Sequence, residues 1–163
     1  MATPTYTLID STTLGSSAAS VTFSSISATG KGDLVVVVNS LADAGTINFT
    51  MRFNGATTGY TAVTAYGDGG SAASFTSSSN LDLMAYGGNT TVPALVSATV
   101  LDFSSTNKHK TVLANGYRAD KQASMSVGRW ADTAAVTSLT IRTTTANNYA
   151  AGSTFFLYQL VSE

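Results

Sequence analysis

The sequence predicts an all-β, single-domain antiparallel β-sandwich, jelly-roll-like, with about 10 strands. Three observations carry that expectation. Charged residues make up only 10% of the chain, against about 25% in an ordinary soluble domain, and Thr, Ser, Ala and Gly take their place. The helix formers Glu, Lys and Gln are scarce while Thr and Val are plentiful, a mix that favours strands. Short runs of alternating or continuous apolar residues recur between Gly- and Asn-containing turns, and no amphipathic helical pattern lasts more than a turn or two. A chain of 163 residues fits one domain, 1–163, and buries roughly two-thirds of its unfolded surface.

The elements follow in order. Met1–Thr5 reads as a docking arm, and Thr5–Ile9 as a first strand with Pro4 at its start, where a missing N–H costs least. Ser11–Ala19 is small and polar, hence a loop; Val21 to Ile26 alternates, hence a strand. Ala28–Asp33 is turn chemistry. Leu34–Val38, LVVVV, is a continuous apolar run and predicts a central strand covered on both faces. Ile47, Phe49, Met51 and Phe53 alternate with polar partners. Asn54-Gly55 then turns the chain, and Tyr60–Ala65 alternates again, so a hairpin is expected.

Tyr66–Asn80 reads as a long flexible loop with one lone aromatic, Phe75. Leu81–Tyr86, Ala94–Phe103 and Lys108–Tyr117 are strands, and Arg118–Gln122 an exposed, charged turn. Met125, Val127 and Arg129 lead through Trp130 into the C-terminal third. There Val136–Ile141 and Gly152–Leu160 read as two antiparallel strands joined by Thr143–Ala151. The expected core anchors are Trp130, Phe155, Leu157, Tyr158 and Val36. Trp130 also has a functional alternative, as a stacking platform for carbohydrate.

The chemistry is sparse. There is no Cys, so neither disulfides nor Cys-based metal sites form. The single His109 lies between Lys108 and Lys110, which oppose its protonation, and reads as an exposed or edge-strand residue. No Gly-x-Ser-x-Gly elbow accompanies it. The Asp residues are dispersed, and only the fold could pair two for glycoside chemistry. Asp68-Gly69-Gly70 reads as an Asx turn, with weak Ca²⁺ binding as the alternative; the oxygen spacing of an EF-hand loop is absent.

Gly67–Gly70 lacks the Gly-Lys-Ser/Thr of a phosphate loop. No catalytic residue, metal or cofactor is expected. A formal net charge of −1 without a basic face argues against nucleic acid. No run reaches the ~18 apolar residues of a membrane span. MATPTYTLID has no basic n-region or apolar core segment of a classical secretory signal.

The last third carries Trp130, Thr133, Ala134, Ala135, Val136, Thr137, Ser138 and Leu139, then Ala150, Ala151, Gly152, Ser153, Thr154, Phe155, Leu157 and Tyr158. These match a motif close to W-x-x-T-A-A-I-T-S-I-T followed by A-A-G-S-T-F-S-L-Y-G-I. Leu34–Val38, the Phe53-Asn54-Gly55 turn and Asp102–Thr111 match further. In these stretches the chain resembles a family of small structural proteins of tailed-phage virions. The resemblance is strong from Arg129 to the C-terminus and loose through Ser71–Thr91. It departs at Gln159, where a Gly is usual.

What the resemblance implies is a jelly-roll-like virion protein with no catalytic residues to transfer. The expected role is non-enzymatic: a head decoration or cement protein, located in the virion, that binds the major capsid protein and copies of itself, with a trimer as the natural guess. The alternative is a tail-fibre or tail-tip module that binds a host receptor or glycan. The candidate interaction surface is Tyr60, Tyr66 and Phe75, with Asn54–Gly59 and Tyr66–Asn80 as recognition loops, together with Lys108 and Lys110.

Overall fold

The computed structural model describes residues 5–29, 32–84 and 86–161. The proposed docking arm, Met1–Thr5, lies outside them but for Thr5. Twelve strands are formed: β1 (Tyr6–Thr13), β2 (Ser20–Phe23), β3 (Gly32–Ser40), β4 (Phe49–Phe53), β5 (Tyr60–Gly67), β6 (Ala72–Ser77), β7 (Leu81–Met84), β8 (Ala94–Leu101), β9 (Lys110–Arg118), β10 (Gln122–Trp130), β11 (Leu139–Arg142) and β12 (Thr154–Val161). They build a jelly-roll-like sandwich of two sheets. The large sheet has the order β1-β12-β3-β8-β9-β10-β5-β6, the small one β2-β11-β4-β7, and every pairing is antiparallel.

Alternation decides which side chains enter the core. Along β8, β9 and β10 every second residue is buried, and the residues between them face outward. The small sheet supplies Phe23, Met51, Phe53, Leu139 and Ile141 from the other side. Trp130 packs its ring at 5.5 Å from Phe53 and stacks with Tyr60 at 6.3 Å. At the far end Tyr149 lies between Phe49, at 5.5 Å, and Phe155, at 5.2 Å. Strand β7 sits against β5, β9 and β10. It gets that close because β9 and β10 carry glycine there. A Cβ on Gly116 would lie 2.7 Å from Met84 Sδ, and one on Gly128 2.5 Å from Leu81 Cδ2.

Several expectations are corrected. β4 and β5 do not form a hairpin, because the Asn54-Gly55 turn carries the chain from one sheet to the other. Asn54 fixes that corner. Its Oδ1 accepts from the backbone N–H groups of Thr137 (2.9 Å) and Ser138 (3.1 Å), and its Nδ2 donates to Ala135 O (2.8 Å). The two C-terminal strands are likewise unpaired: β11 lies between β2 and β4, while β12 lies between β1 and β3.

Tyr66–Asn80 is not a loop but the end of β5, a short turn and edge strand β6. Part of the expected loop Ser11–Ala19 is β1. β3 is covered on one face only; Leu34, Val36 and Val38 are buried, and Val35 and Val37 are half-exposed on the other side.

Candidate interaction surfaces

The small sheet covers one face of the large sheet, and no layer of described residues covers the other. Register alone assembles that outer face. One cross-strand row runs through all eight strands: Leu8, Tyr158, Val35, Thr99, Leu113, Val127, Val63 and Thr76. The next row, two residues along each strand but three along β1, where the register shifts between Leu8 and Asp10, is Ser11, Phe156, Val37, Ser97, Asn115, Met125, Ala65 and Ser74. None of these sixteen side chains is charged at neutral pH.

Large apolar groups among them are open to solvent, Met125 at 69% and Val127 at 54% of their full exposure. Outward strand positions of an antiparallel sheet facing water ordinarily carry polar residues. Charge returns only in the flanking row, with Asp33 on β3 and Arg129 on β10. The relief is uneven. Phe156 and Tyr158 stack at 6.2 Å on β12 and make a ridge. Thr61, Val63, Thr76, Thr111, Val127 and Arg129 line a trough of about 570 Å³ over β5, β6, β9 and β10.

β1 overhangs the sandwich. Seven of its eight residues are exposed, among them Tyr6 and Leu8, and its outer edge has no strand partner among the described residues.

A second surface lies at the mouth between the sheets. Tyr66 of β5 meets Phe75 of β6 edge-on at 6.2 Å and Tyr86 at 6.0 Å. With Thr46, Asn48, Asp82 and Thr145 they line a cleft of about 380 Å³. Burial raises the carboxyl pKa of Asp82, opposed by a hydrogen bond from the Ser77 side chain. An adjoining cleft of about 370 Å³ shares Tyr66 and Tyr86 and adds Asp68, Arg118 and Lys121. Arg118 is held there by Asp120 and by the carbonyl of Tyr86, at 3.1 Å.

The expected site residues do not stay together. Trp130, Phe155, Leu157 and Val36 are buried core anchors, while Tyr158 stands half-exposed on the outer face of β12 and is not one. Tyr66 and Phe75 do come together in the cleft. Tyr60 and Lys110 are not surface residues. Tyr60 is buried, its hydroxyl accepting the Phe53 N–H at 2.9 Å. Lys110 is buried too, its Nζ donating to the carbonyls of Ser105 (2.7 Å), Lys108 (2.9 Å) and Thr133 (3.3 Å). Burial pulls its pKa down, and Asp132 and Asp102 oppose that. Lys108 remains exposed and pairs with Asp102 at 2.8 Å. Arg118 and Gln122 of the expected exposed turn are buried.

Sequence reasoning missed Tyr86 as a site residue, since it stood at the end of an expected strand. It also missed the outer face, which no single strand reveals. The signal was the outward apolar residues of six separate strands, visible only once the strand order is known.

Asp68 makes the expected Asx turn, its Oδ1 accepting from the N–H groups of Gly70 (3.1 Å) and Ser71 (2.9 Å). These bonds lower its pKa. Among the described residues no three His, Cys, Asp or Glu side chains gather in a metal-binding group.

No protein-family model and no curated protein sequence matches the chain. Among solved structures it shows a slight likeness to the marine PL-14 alginate lyase from Aplysia kurodai, at 10% identity and a TM-score of 0.30 over 85% of this chain and 72% of that one. A human SPRY domain is similar at 8% identity and a TM-score of 0.20, over 94% of this chain and 99% of that one. Likenesses at this level carry no functional argument.

Proposed function

We propose that this chain is a non-enzymatic structural protein of a tailed-phage virion, a head decoration protein that reinforces the capsid shell in many symmetry-related copies. The observation that supports this reading is the outer face of the large sheet: eight strands wide, uncharged in its two central rows and rich in exposed apolar side chains. Contiguous apolar patches of that kind mark interaction sites. The C-terminal motif, Trp130 to Tyr158, supports the virion setting. The mechanism is added buried area between neighbours, multiplied by the symmetry of the shell.

Co-sedimentation with purified shells tests it. The protein should pellet with assembled shells and bind isolated capsid protein far more weakly. Equal binding to both would sink the clamping mechanism.

The cleft of Tyr66, Phe75 and Tyr86 favours a second reading, a tail-tip module that binds a host glycan. Aromatic faces beside a carboxyl and an amide suit a sugar ring and its hydroxyls. Under that reading Tyr86→Ala abolishes adsorption of the protein to host cells. Under the decoration reading host cells are not bound at all.

A further inference from the structure

We propose that the outer face of the large sheet is a homotypic interface: two copies of this chain stack face to face about a twofold axis that runs parallel to the strands, over the seam between β8 and β9. The inference rests on reading that face as an assembly surface, and adds what occupies it.

Charge and shape choose the partner. An axis in that position lays β12 over β5 of the second copy, β3 over β10 and β8 over β9, while each cross-strand row meets its own counterpart. In the flanking row Asp33 then faces Arg129 of the other copy, and the pair occurs twice. An axis perpendicular to the strands would keep the strand order, so Asp33 and Arg129 would not meet in this way.

In the central rows Tyr158 of one copy lies over Val63, in the trough of the other, and Phe156 over Ala65, in the neighbouring depression that Ala65 shares with Met125, larger groups against smaller ones. Val35 meets Val127. The aromatic pair of β12 thus finds smaller counterparts on β5, while Val37 meets Met125, apolar against apolar. A patch that meets itself is isologous and closes as a pair. That arrangement differs from the trimer expected as the natural guess for a shell protein.

The size fits. Eight strands at 4.8 Å and four rows of outward residues cover on the order of 800–1,000 Å², near the roughly 800 Å² per partner of a standard interface. Stacked sheets of this kind pack about 10 Å apart. The pairing also accounts for Leu34–Val38. A continuous apolar run suits a strand covered on both faces, and in the single chain only one face of β3 is covered.

Sedimentation equilibrium of the purified full chain tests the proposal, with the same preparations taken to shell co-sedimentation. The wild type should be a dimer at micromolar concentration. Val127→Glu should weaken self-association by about a hundredfold or more. Arg129→Asp should weaken it by about tenfold, and Asp33→Arg added to it should restore pairing. Thr22→Glu, on the small sheet, should leave the dimer intact. All variants should keep a cooperative thermal transition.

A wild type that stays monomeric at a hundred times that concentration overturns the pair. If that monomer binds shells and Val127→Glu abolishes the binding, the face belongs to the capsid and the decoration reading stands. If dimers form but no shell is bound, the pair stands and the decoration reading falls.

Discussion

Two tyrosines show how much a buried hydroxyl depends on its partners. Tyr60 Oη accepts the Phe53 N–H, and within the core it can donate to the Ala56 carbonyl at 3.2 Å. Tyr149 Oη is equally buried and has no hydrogen-bond partner among the described residues. Burial raises the pKa of both phenols, so each stays protonated at neutral pH. The same change should therefore act with opposite signs. Tyr60→Phe strands a buried N–H and should cost about 1–3 kcal/mol, whereas Tyr149→Phe removes an orphan hydroxyl and should be neutral or stabilising. Differential scanning calorimetry of the two variants checks this.

Asp82 supplies a pH test. Its folded pKa lies above the ordinary 3.8 because burial disfavours the carboxylate. The native state therefore binds more protons than the unfolded state between those two values, and this group's contribution to stability falls as pH rises through that window. Asp82→Asn should raise the melting temperature relative to wild type at pH 7, and the gain should vanish below about pH 3. A gain that persists in acid would contradict burial as the cause.

At the scale of elements, the close seat of β7 on the large sheet depends on Gly116 and Gly128. Gly116→Val should push β7 outward through Met84 and cost about 1–3 kcal/mol by overpacking. It would be read as a lower urea midpoint with an unchanged denaturant slope. Alternation makes most strands legible in the amino-acid sequence. β4, β8, β9 and the start of β5 fall where the apolar periods put them, and Gly152 does open the last strand from a positive φ of 84°.

Pairing was not legible. The Asn54-Gly55 dipeptide specifies a reversal of direction but not which sheet receives the chain. That is decided by the side chain of Asn54 reaching residues 135–138, far away in sequence. β6 was hidden because AASFTS at a sheet edge has one large side chain and no need for alternation. Lys110 was misplaced for a related reason: a cation reads as exposed until three carbonyls are found around it.

At the scale of the whole molecule, the two sheets are unequal. Four strands cannot cover eight, so β1 overhangs, and the opposite face of the large sheet has no layer among the described residues. The cleft residues Tyr66, Phe75 and Tyr86 sit at one end of this plan, between β6 and the exit of β7. Tyr66 and Phe75 could be anticipated only as aromatics in an expected loop, and Tyr86 only as the end of an expected strand. The outer face, by contrast, spans all eight strands and carries exposed apolar groups such as Met125 and Val127.

An exposed face with unpaired edges is an aggregation hazard for a lone subunit and an asset for one that works in an array. The central claim is that this chain coats a shell. The measurement that tests it most directly is its copy number in purified virions, by quantitative mass spectrometry against the major capsid protein. The account predicts a copy number comparable to that of the capsid protein. A count that is only a small fraction of it, as for a tail component, would contradict the claim.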